Sequence, residues 1–189
     1  MRAVIVGCGR VGAGLAERLA RSGHDVVILD LSTEAFGRLE EDFPGQAIRG
    51  DGTDEDVLRR VGTETADYFF ALTEGDNRNV LAAQLASETF DVEHVVAKIN
   101  DPVRAEAYTM LGLATICRTR LLVDALGRFT GMEADPGASG VRRVERHHDH
   151  GPSMPPVAAD AIAGGGDVGA TPLEHGVPGQ GAAPGRPDS

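Results

Sequence analysis

The sequence predicts an α/β protein built on a doubly wound parallel sheet. Short strands that are apolar throughout alternate with amphipathic helical segments, which is typical of a parallel sheet covered by helices on both faces. The first strand runs directly into a glycine-rich loop that opens a helix, and the second strand ends in an aspartate. Together these features are the pattern of a Rossmann fold.

The first βαβ unit has the clearest pattern. The run AVIVG is a β-branched strand that ends at a glycine. The next segment, RVGAGLAERLARSG, has apolar residues at helical spacing, at Val11, Leu15 and Leu19, and Gly23 as its stop. The run DVVILD is apolar enough to be a second strand buried on both faces.

The later elements are shorter. The segment STEAFGRLEEDF predicts a helix capped by Ser32 or Thr33, AIRG a third strand, and DEDVLRRVG a short helix. DYFFALT predicts a fourth strand, DNRNVLAAQLASETF a helix, and HVVAKIN a fifth strand. DPVRAEAYTMLG, with Pro102 in its first turn, predicts a further helix, and ATIC a sixth short strand.

The composition changes after residue 133. Residues 134–189 hold 11 glycines and 8 prolines among 56 residues and no Phe, Tyr or Trp, so they cannot bury enough apolar surface to offset their ordering entropy. We therefore predict a Rossmann domain over residues 1–133 and a mostly disordered tail over 134–189. Three histidines in VRRVERHHDH could recruit a transition metal, but a solvated tail without a rigid frame is the simpler interpretation.

Charge and composition narrow the function. The formal net charge is −11 and Lys98 is the single lysine, which disfavours a protein that binds nucleic-acid phosphates. No run reaches the ~20 apolar residues that cross a bilayer, so we expect a cytoplasmic protein. Cys8 and Cys117 lie far apart in apolar segments, and we expect buried thiols rather than a disulfide or a zinc site.

The glycine loop GCGRVG fits the G-x-G-x-x-G pattern, and its position between a strand and a helix strengthens an otherwise weak motif. Gly7 permits a tight turn, Gly9 lets the backbone approach a diphosphate, and Gly12 lets the helix pack closely. Free N–H groups at the helix start attract negative charge. A glycine-rich turn without a ligand is the alternative. The candidate binding residues of the loop are Gly7, Cys8, Gly9, Arg10, Val11 and Gly12.

An acidic residue ends the second strand. Asp30 lies 18 residues after Gly12, where a carboxylate accepts hydrogen bonds from ribose hydroxyls, and Leu31 follows it as a further candidate. An anion here repels a 2′-phosphate, which favours NAD(H) or another adenosine nucleotide over NADP. The alternative for Asp30 is a helix-capping or solvated acid.

The third strand ends in an unusual stretch, IRGDGTDEDVL. Its Gly50, Asp51, Gly52 and Thr53 occupy the carboxyl end of the strand, beside the adenine side of a Rossmann site. Backbone without bulk lets an adenine approach, the carboxylate can accept from its exocyclic amine, and Thr53 can cap the next helix. A capping turn without a ligand is the alternative.

Five features carry a resemblance to a known family: GCGRVG, the aspartate that ends the second strand, RGDGTDEDVL, ALTEGDNRNVLAAQLA and VVAKINDPVRAEAYTMLG. Together they resemble the N-terminal nucleotide-binding domain of Trk- and Ktr-type potassium-uptake regulatory subunits, the regulator of K+ conductance (RCK or TrkA-N) domain. The resemblance covers about residues 1–130, and its Gly-Asp-x-Thr element is more specific than the glycine loop.

The resemblance implies roles for the matching positions. The glycine loop with Arg10 binds phosphate, although a solvated arginine fits the local pattern equally well, while Asp30 binds ribose and Asp51 with Thr53 forms the adenine-side turn. Gly52 stands where the family more often has Ala.

The resemblance also implies a lip opposite the loop, after the fourth strand. The T-x-x-D-x-x-N pattern places Thr73, Asp76 and Asn79 there, next to Leu72, and Asp76 also fits locally as the N-cap of the next helix. Lys98 lies where the family has Arg, or less often Lys, to compensate ligand charge.

The family assembles as dimers and larger rings against a membrane potassium transporter or channel. The segment TRLLVDALGRFTGM places Leu122, Ala125, Leu126 and Phe129 on one helical face, and we expect this helix to cross to a second copy. The alternative is that it packs on its own domain. Residues 134–189 show no pattern of the family's second, ligand-sensing domain, so we expect that domain to be lacking or supplied by another subunit.

An enzyme needs a proton donor and a substrate pocket as well as a cofactor site. Tyr68 and Tyr108 have no lysine four residues later, and His24 and His94 precede strands, opposite the ligand-bearing ends. We therefore predict no catalytic residues and a nucleotide-binding regulatory subunit that gates potassium uptake from the inner face of the membrane. An NAD-dependent oxidoreductase is the alternative. The motifs serve NAD(H), ATP and ADP alike.

Overall fold

A computed structural model describes residues 1–133 and 140–143 of the chain. Within them, six parallel strands form one sheet in the order β3-β2-β1-β4-β5-β6. The strands are β1 (Arg2–Val6), β2 (Asp25–Asp30), β3 (Gln46–Arg49), β4 (Tyr68–Ala71), β5 (His94–Lys98) and β6 (Thr115–Ile116). The strand order reverses between β1 and β4, which confirms the doubly wound Rossmann fold and leaves a crevice at the carboxyl ends of the strands.

Five α-helices connect or follow the strands in the described part: α1 (Arg10–Arg21), α2 (Glu55–Arg60), α3 (Asp76–Gln84), α4 (Pro102–Met110) and α5 (Arg118–Phe129). A π-helical stretch, Leu85–Thr89, continues α3, and Thr63–Thr65 forms a short 3₁₀ helix. Two helices start at aspartates whose side chains accept from backbone N–H groups of the first turn, Asp54 before α2 and Asp101 before α4.

The segment after β2 differs from the predicted helix. Only Thr33–Arg38 is helical, as a 3₁₀ helix, and Leu39 is already extended. Ser32, one of the two predicted caps, accepts from the N–H of Glu34 at 3.2 Å. Gly37 in the middle of the segment disfavours an α-helix, and Leu39 and Phe43 instead pack on the core beside α1.

Helix α1 buries part of its predicted apolar face: Leu15 and Leu19 are half-buried and pack against the core, whereas Val11 does not. Its buried residues are Gly12, Ala13, Ala16 and Ala20, whereas Val11 is 55% exposed. A Cβ at Gly12 would lie 1.9 Å from the carbonyl oxygen of Gly7, so the first turn of the helix approaches the glycine loop too closely for any side chain at this position.

The core has one apolar cluster on each face of the sheet. Val4 and Val6 of β1 belong to the cluster under α2, α3 and α4, and Ile5 belongs to the cluster under α1. Alternate residues of each strand are thus buried on opposite faces, which explains the uninterrupted apolar runs. Both cysteines are free and buried, as predicted.

A short segment beyond α5 returns to the edge of the sheet. Arg142 forms an antiparallel bridge with Thr115, with N···O distances of 2.8 and 2.9 Å, and its guanidinium contacts Glu106 at 2.5 Å. The rest of the predicted tail, including His147, His148 and His150, lies outside the described residues. No described helix is both long and apolar enough to cross a membrane.

Candidate functional site

A cavity of about 230 Å³ opens at the carboxyl edge of the sheet, between the loops that follow β1, β2, β3 and β4. Most of the predicted binding residues line it: Gly7, Cys8, Gly9, Asp30, Leu31, Gly50, Asp51, Gly52, Thr53, Leu72 and Thr73. Five lining residues are absent from the prediction: Val6, Ala35, Arg38, Glu74 and Arg78. Six predicted residues do not line the cavity: Arg10, Val11, Gly12, Asp76, Asn79 and Lys98.

The three motif glycines are required for different reasons. Gly7 has φ +105°, and a Cβ there would lie 2.8 Å from the Thr73 nitrogen, so the loops after β1 and β4 touch. Gly12 must lack a side chain because the start of α1 packs directly against the carbonyl oxygen of Gly7. A Cβ at Gly9, by contrast, would meet no atom within 4 Å. Gly9 is also the N-cap of α1 and provides no side-chain cap, so the open space borders N–H groups that can bind an anion.

Asp30 fastens the glycine loop to the end of β2. One carboxylate oxygen accepts from the Cys8 N–H at 2.7 Å and the other from the Ser32 N–H at 2.9 Å. The Cys8 N–H is therefore already used, and a phosphate would have to bind the N–H groups at the start of α1. Because a carboxylate has about four acceptor positions, Asp30 keeps capacity for ribose hydroxyls.

Asp51 and Thr53 form a closed turn beside this point. Oδ1 of Asp51 accepts from the Thr53 nitrogen at 2.9 Å and the Thr53 hydroxyl at 2.7 Å, and these bonds lower the pKa of the Asp51 carboxyl. The prediction that Thr53 caps α2 is wrong: its hydroxyl is committed to Asp51, and Asp54 is the cap. Oδ2 of Asp51 has no hydrogen-bond donor among the described residues.

Gly52 is enclosed by the end of β1. A Cβ at this position would lie 2.1 Å from Cγ1 of Val6, which fills the space that an alanine would need. The resemblance implies that alanine is more frequent at this position, but the Val6 side chain leaves room only for glycine here. The neighbouring Gly50 is similarly restricted, because a Cβ would lie 2.6 Å from Cγ1 of Val57.

Asn79 is a structural brace rather than a wall of the cavity. It is fully buried, and its Oδ1 accepts from the nitrogen and the hydroxyl of Thr73 at 2.8 and 2.7 Å. Its Nδ2 donates to the carbonyl oxygens of Thr73 at 3.0 Å and Lys98 at 2.8 Å. Both donors and both acceptor positions are thus used within the protein, and none remains for a ligand.

Asp76 likewise does not line this cavity, but it lines a second, more open one together with Glu74 and Arg78. It is the first residue of α3, after Gly75 as N-cap, so its predicted N-cap role is also wrong. Its carboxylate instead accepts from the backbone and side chain of Asn100 at 2.9 and 3.0 Å and from the Asp101 nitrogen at 3.2 Å. It therefore joins the start of α3 to the loop after β5.

Lys98, at the end of β5, is only 6% exposed and does not line the cavity. Burial lowers the pKa of its ammonium group, partly opposed by the negative charge of Glu74. Its predicted role in compensating ligand charge is thus not supported by direct access to the cavity.

Two arginines supply the positive charge of the cavity. Arg38 is the last residue of the 3₁₀ helix that follows β2, and Arg78 lies in the first turn of α3. Arg78 makes no hydrogen bond or ion pair with another described residue, and its charge helps to lower the pKa of Asp51. Neither arginine was predicted as a lining residue, because an arginine in a polar segment is usually solvated. The position of Arg78 within the T-x-x-D-x-x-N pattern was the one sequence feature that could have indicated it.

The groups that an enzyme would use are poorly placed. Cys8 lines the cavity, but burial and the nearby Asp30 raise the pKa of its thiol to about 11, so it stays protonated and unreactive at neutral pH. Tyr68 and His94 stack on each other at the amino ends of β4 and β5, opposite the cavity. Among residues 1–133 and 140–143, no group of three His, Cys, Asp or Glu side chains could hold a metal ion.

Comparison with known sequences gives consistent relatives. The model of the TrkA-N domain matches residues 3–119. The Trk system potassium uptake protein TrkA of Streptomyces coelicolor is 43% identical over 152 residues, which are 78% of this chain and 68% of that protein. The TrkA homolog of Pyrococcus abyssi is 35% identical over 108 residues, 57% of this chain and 48% of that protein. The chain thus spans about half to two thirds of the length of these relatives.

Solved structures share the fold at low sequence identity. The TrkA-N domain of the inner membrane protein ybaL from Escherichia coli has a TM-score of 0.60 at 19% identity, covering 68% of this chain and 95% of that one. The Kef CTD of Shewanella denitrificans, in AMP-bound form, has a TM-score of 0.58 at 20% identity, covering 73% and 86%. At these identities the likeness extends to the fold alone.

Proposed function

The chain belongs to the TrkA-N domain family, and on that premise we propose that it is a nucleotide-binding regulatory subunit of a Trk-type potassium-uptake system. The observation that carries the proposal is the open space at Gly9, which borders the uncapped N-terminus of α1 and lies in one cavity with Asp30 and Asp51. This combination suits the phosphate, ribose and base of an adenosine nucleotide. The relatives that share the domain are named for potassium uptake.

Each part of the nucleotide has a candidate partner. N–H groups of the first turn of α1 would hold the diphosphate, Asp30 the ribose hydroxyls, and the free oxygen of Asp51 the adenine amine. Three carboxylates line the same cavity, so a polyphosphate needs compensating cations. We assign that compensation to Arg78 and Arg38, with Arg10 as a further donor beside the loop.

The nucleotide class is NAD(H), ATP or ADP. Asp30 opposes a 2′-phosphate at the ribose, whereas Arg38 on the same side of the cavity would attract one. NADP is therefore the most informative competitor. We propose that Asp30 prevails, because its carboxylate is fixed by two backbone N–H groups while the Arg38 guanidinium is exposed.

Regulation requires that nucleotide binding favour one arrangement of an assembly over another. Helix α5 provides the surface for that assembly: Leu122 and Leu126 are exposed, and Phe129 is 90% exposed. This exposure favours contact with a partner over packing on its own domain, since Asp124 is the only buried residue of the helix. We propose that the face packs on a second copy and that the assembly acts on a membrane potassium transporter from its cytoplasmic side.

A titration of the full chain tests the proposal. Calorimetry with NADH, NAD, ATP, ADP and NADP should give saturable binding for at least one of the first four and weak binding for NADP. The absence of binding by all five would refute the proposal. Oxidation of NADH in the presence of small carbonyl substrates, followed by absorbance at fixed protein concentration, would favour an oxidoreductase instead.

A variant locates the site. Asp30→Ala should weaken adenosine-nucleotide binding by about 1–3 kcal/mol, because ribose hydroxyls and the loop N–H would lose their acceptor. Glu41→Ala, which removes an exposed carboxylate outside the cavity, is the matched control. Equal affinities for the two variants would move the site away from β2.

A further inference from the structure

Residues 73–79, between β4 and the first turns of α3, contact both the cavity and the loop after β5. Thr73, Glu74 and Arg78 line the cavity, whereas Asp76 turns towards the loop after β5. Because all four belong to one short braced segment, a ligand that contacts the cavity side acts on Asp76 as well. Asn79 strengthens this coupling by joining Thr73 to the end of β5.

Asp76 binds the loop after β5 through three hydrogen bonds. Its Oδ1 accepts from the nitrogen and Nδ2 of Asn100, at 2.9 and 3.0 Å, and its Oδ2 accepts from the Asp101 nitrogen at 3.2 Å. Arg104 adds an ion pair at 3.8 Å. Bonds of backbone N–H groups to a carboxylate are of the stronger, charge-assisted kind, so the loop follows any displacement of Asp76.

The same loop holds the start of α5. The carbonyl oxygen of Asn100 accepts from the Thr119 hydroxyl at 2.7 Å and from the Cys117 thiol at 3.6 Å. Thr119 lies in the first turn of α5, and Cys117 is its N-cap residue. Asn100 thus donates from its N–H groups to Asp76 and accepts at its carbonyl oxygen from Thr119 of α5. It therefore connects the segment beside the cavity to the helix.

Helix α5 amplifies small movements at this point. Its 12 residues span roughly 18 Å at about 1.5 Å per residue, so a tilt of about 10° at the first turn moves the far end by roughly 3 Å. The far end carries Phe129, the most exposed of the large apolar residues of the face. A shift of that size is enough to change how the face meets a partner, since packed interfaces tolerate little misfit.

We propose that Asp76, Asn100 and Thr119 are positioning residues that transmit nucleotide occupancy from the cavity to the exposed face of α5. The inference rests on the proposed function and deepens it by naming the route of regulation. It also gives Asp76 a role that needs no contact with a ligand, because its carboxylate is hydrogen-bonded to Asn100 and Asp101.

Hydrogen exchange of the full chain, with and without ADP and NADH in parallel, tests the link. In the unaltered protein, a nucleotide that binds should change the exchange of amides in residues 118–129 by about threefold or more. Thr119→Val should remove most of that change while leaving nucleotide affinity within about twofold. Thr119→Ser, which keeps the hydroxyl, should restore it. Thr130→Val, which removes a hydroxyl bonded to Gly127 at the other end of the helix, is the control and should respond normally.

The outcomes separate the two levels of the proposal. If neither nucleotide binds, the proposed function fails and the link fails with it. If a nucleotide binds normally but α5 exchange is unchanged in the unaltered protein, or if Thr119→Val responds as fully as Thr119→Ser, the link alone is overturned. Asp76→Asn gives a second measurement, since it should reduce the response of α5 as Thr119→Val does.

Discussion

Two parts of the same sheet edge use their polar residues in opposite ways. At the ends of β1, β2 and β3, the loops leave an open space at Gly9 and acceptor capacity on Asp30 and Asp51. At the ends of β4 and β5, Asn79 and Asp76 direct their hydrogen bonds into the protein. We therefore expect a motif residue at this edge to bind a ligand only where its hydrogen-bonding capacity is not already filled.

The energetic consequences of the two arrangements differ. A buried amide such as Asn79 leaves several partners unsatisfied when it is removed, so its loss should reduce folding stability. An exposed group with spare capacity, such as Arg78, should mainly affect binding. Substitutions on the two sides should therefore separate stability from affinity.

The largest effect is expected for Asn79→Leu. The change removes four hydrogen bonds and strands buried groups of Thr73 and Lys98, which should lower the free energy of unfolding by about 4 kcal/mol. Urea denaturation measures it. Asn77→Leu, at an exposed position of the same helix, is the control and should cost far less. A loss of under about 1 kcal/mol for Asn79→Leu would show that the brace contributes little.

The next prediction compares two glycines of one motif. Gly12→Ala should lower the free energy of unfolding by about 2–3 kcal/mol, because its Cβ would collide with the Gly7 carbonyl oxygen. Gly9→Ala should leave stability nearly unchanged and reduce nucleotide affinity by about tenfold, since its methyl group enters the open space. Denaturation and calorimetry on the same preparations would distinguish them. Equal stability losses would contradict the difference in packing.

A smaller effect is expected for Arg78→Gln. Removal of this guanidinium should weaken ADP binding by about three- to tenfold and flatten its salt dependence, with little change in stability. Calorimetry at two salt concentrations measures both. Arg60→Gln, an exposed arginine on α2, is the control. If the two variants bind ADP with the same affinity, Arg78 does not face the phosphates.

The smallest effect concerns pH. Thr53 lowers the pKa of the Asp51 carboxyl in the folded protein, so this group stabilises the fold above its unfolded pKa and loses that contribution as pH falls through its lower folded value. The melting temperature of Asp51→Asn should therefore differ most from that of the unaltered protein near neutral pH, and the difference should shrink below about pH 4. Thermal melts from pH 7 to pH 2.5 check it, and a difference that grows with acid would reverse the assignment.

Local pattern was enough to predict most of the fold. The apolar runs, the glycine loop and the capping residues each act within a few positions of the chain, so the strands and most helices could be predicted with small errors at their ends. The segment after β2 was the exception, because its 3₁₀ geometry depends on how Leu39 and Phe43 pack beside α1. On α1 the helical spacing correctly placed Leu15 and Leu19 against the core, but Val11 is exposed, and the most deeply buried positions of the helix are small residues.

For the candidate site, the order of strands and loops along the chain already predicts which loops meet at the edge of the sheet and which of their residues carry polar groups. The partners of those polar groups are visible only in the folded chain. Asp76 meets Asn100, 24 residues away, and Asn79 meets Lys98, 19 residues away, and nothing local indicates either pairing. Hydrogen bonds form between groups that are close in space, and the pairing of β4 with β5 in the sheet brings these distant residues together.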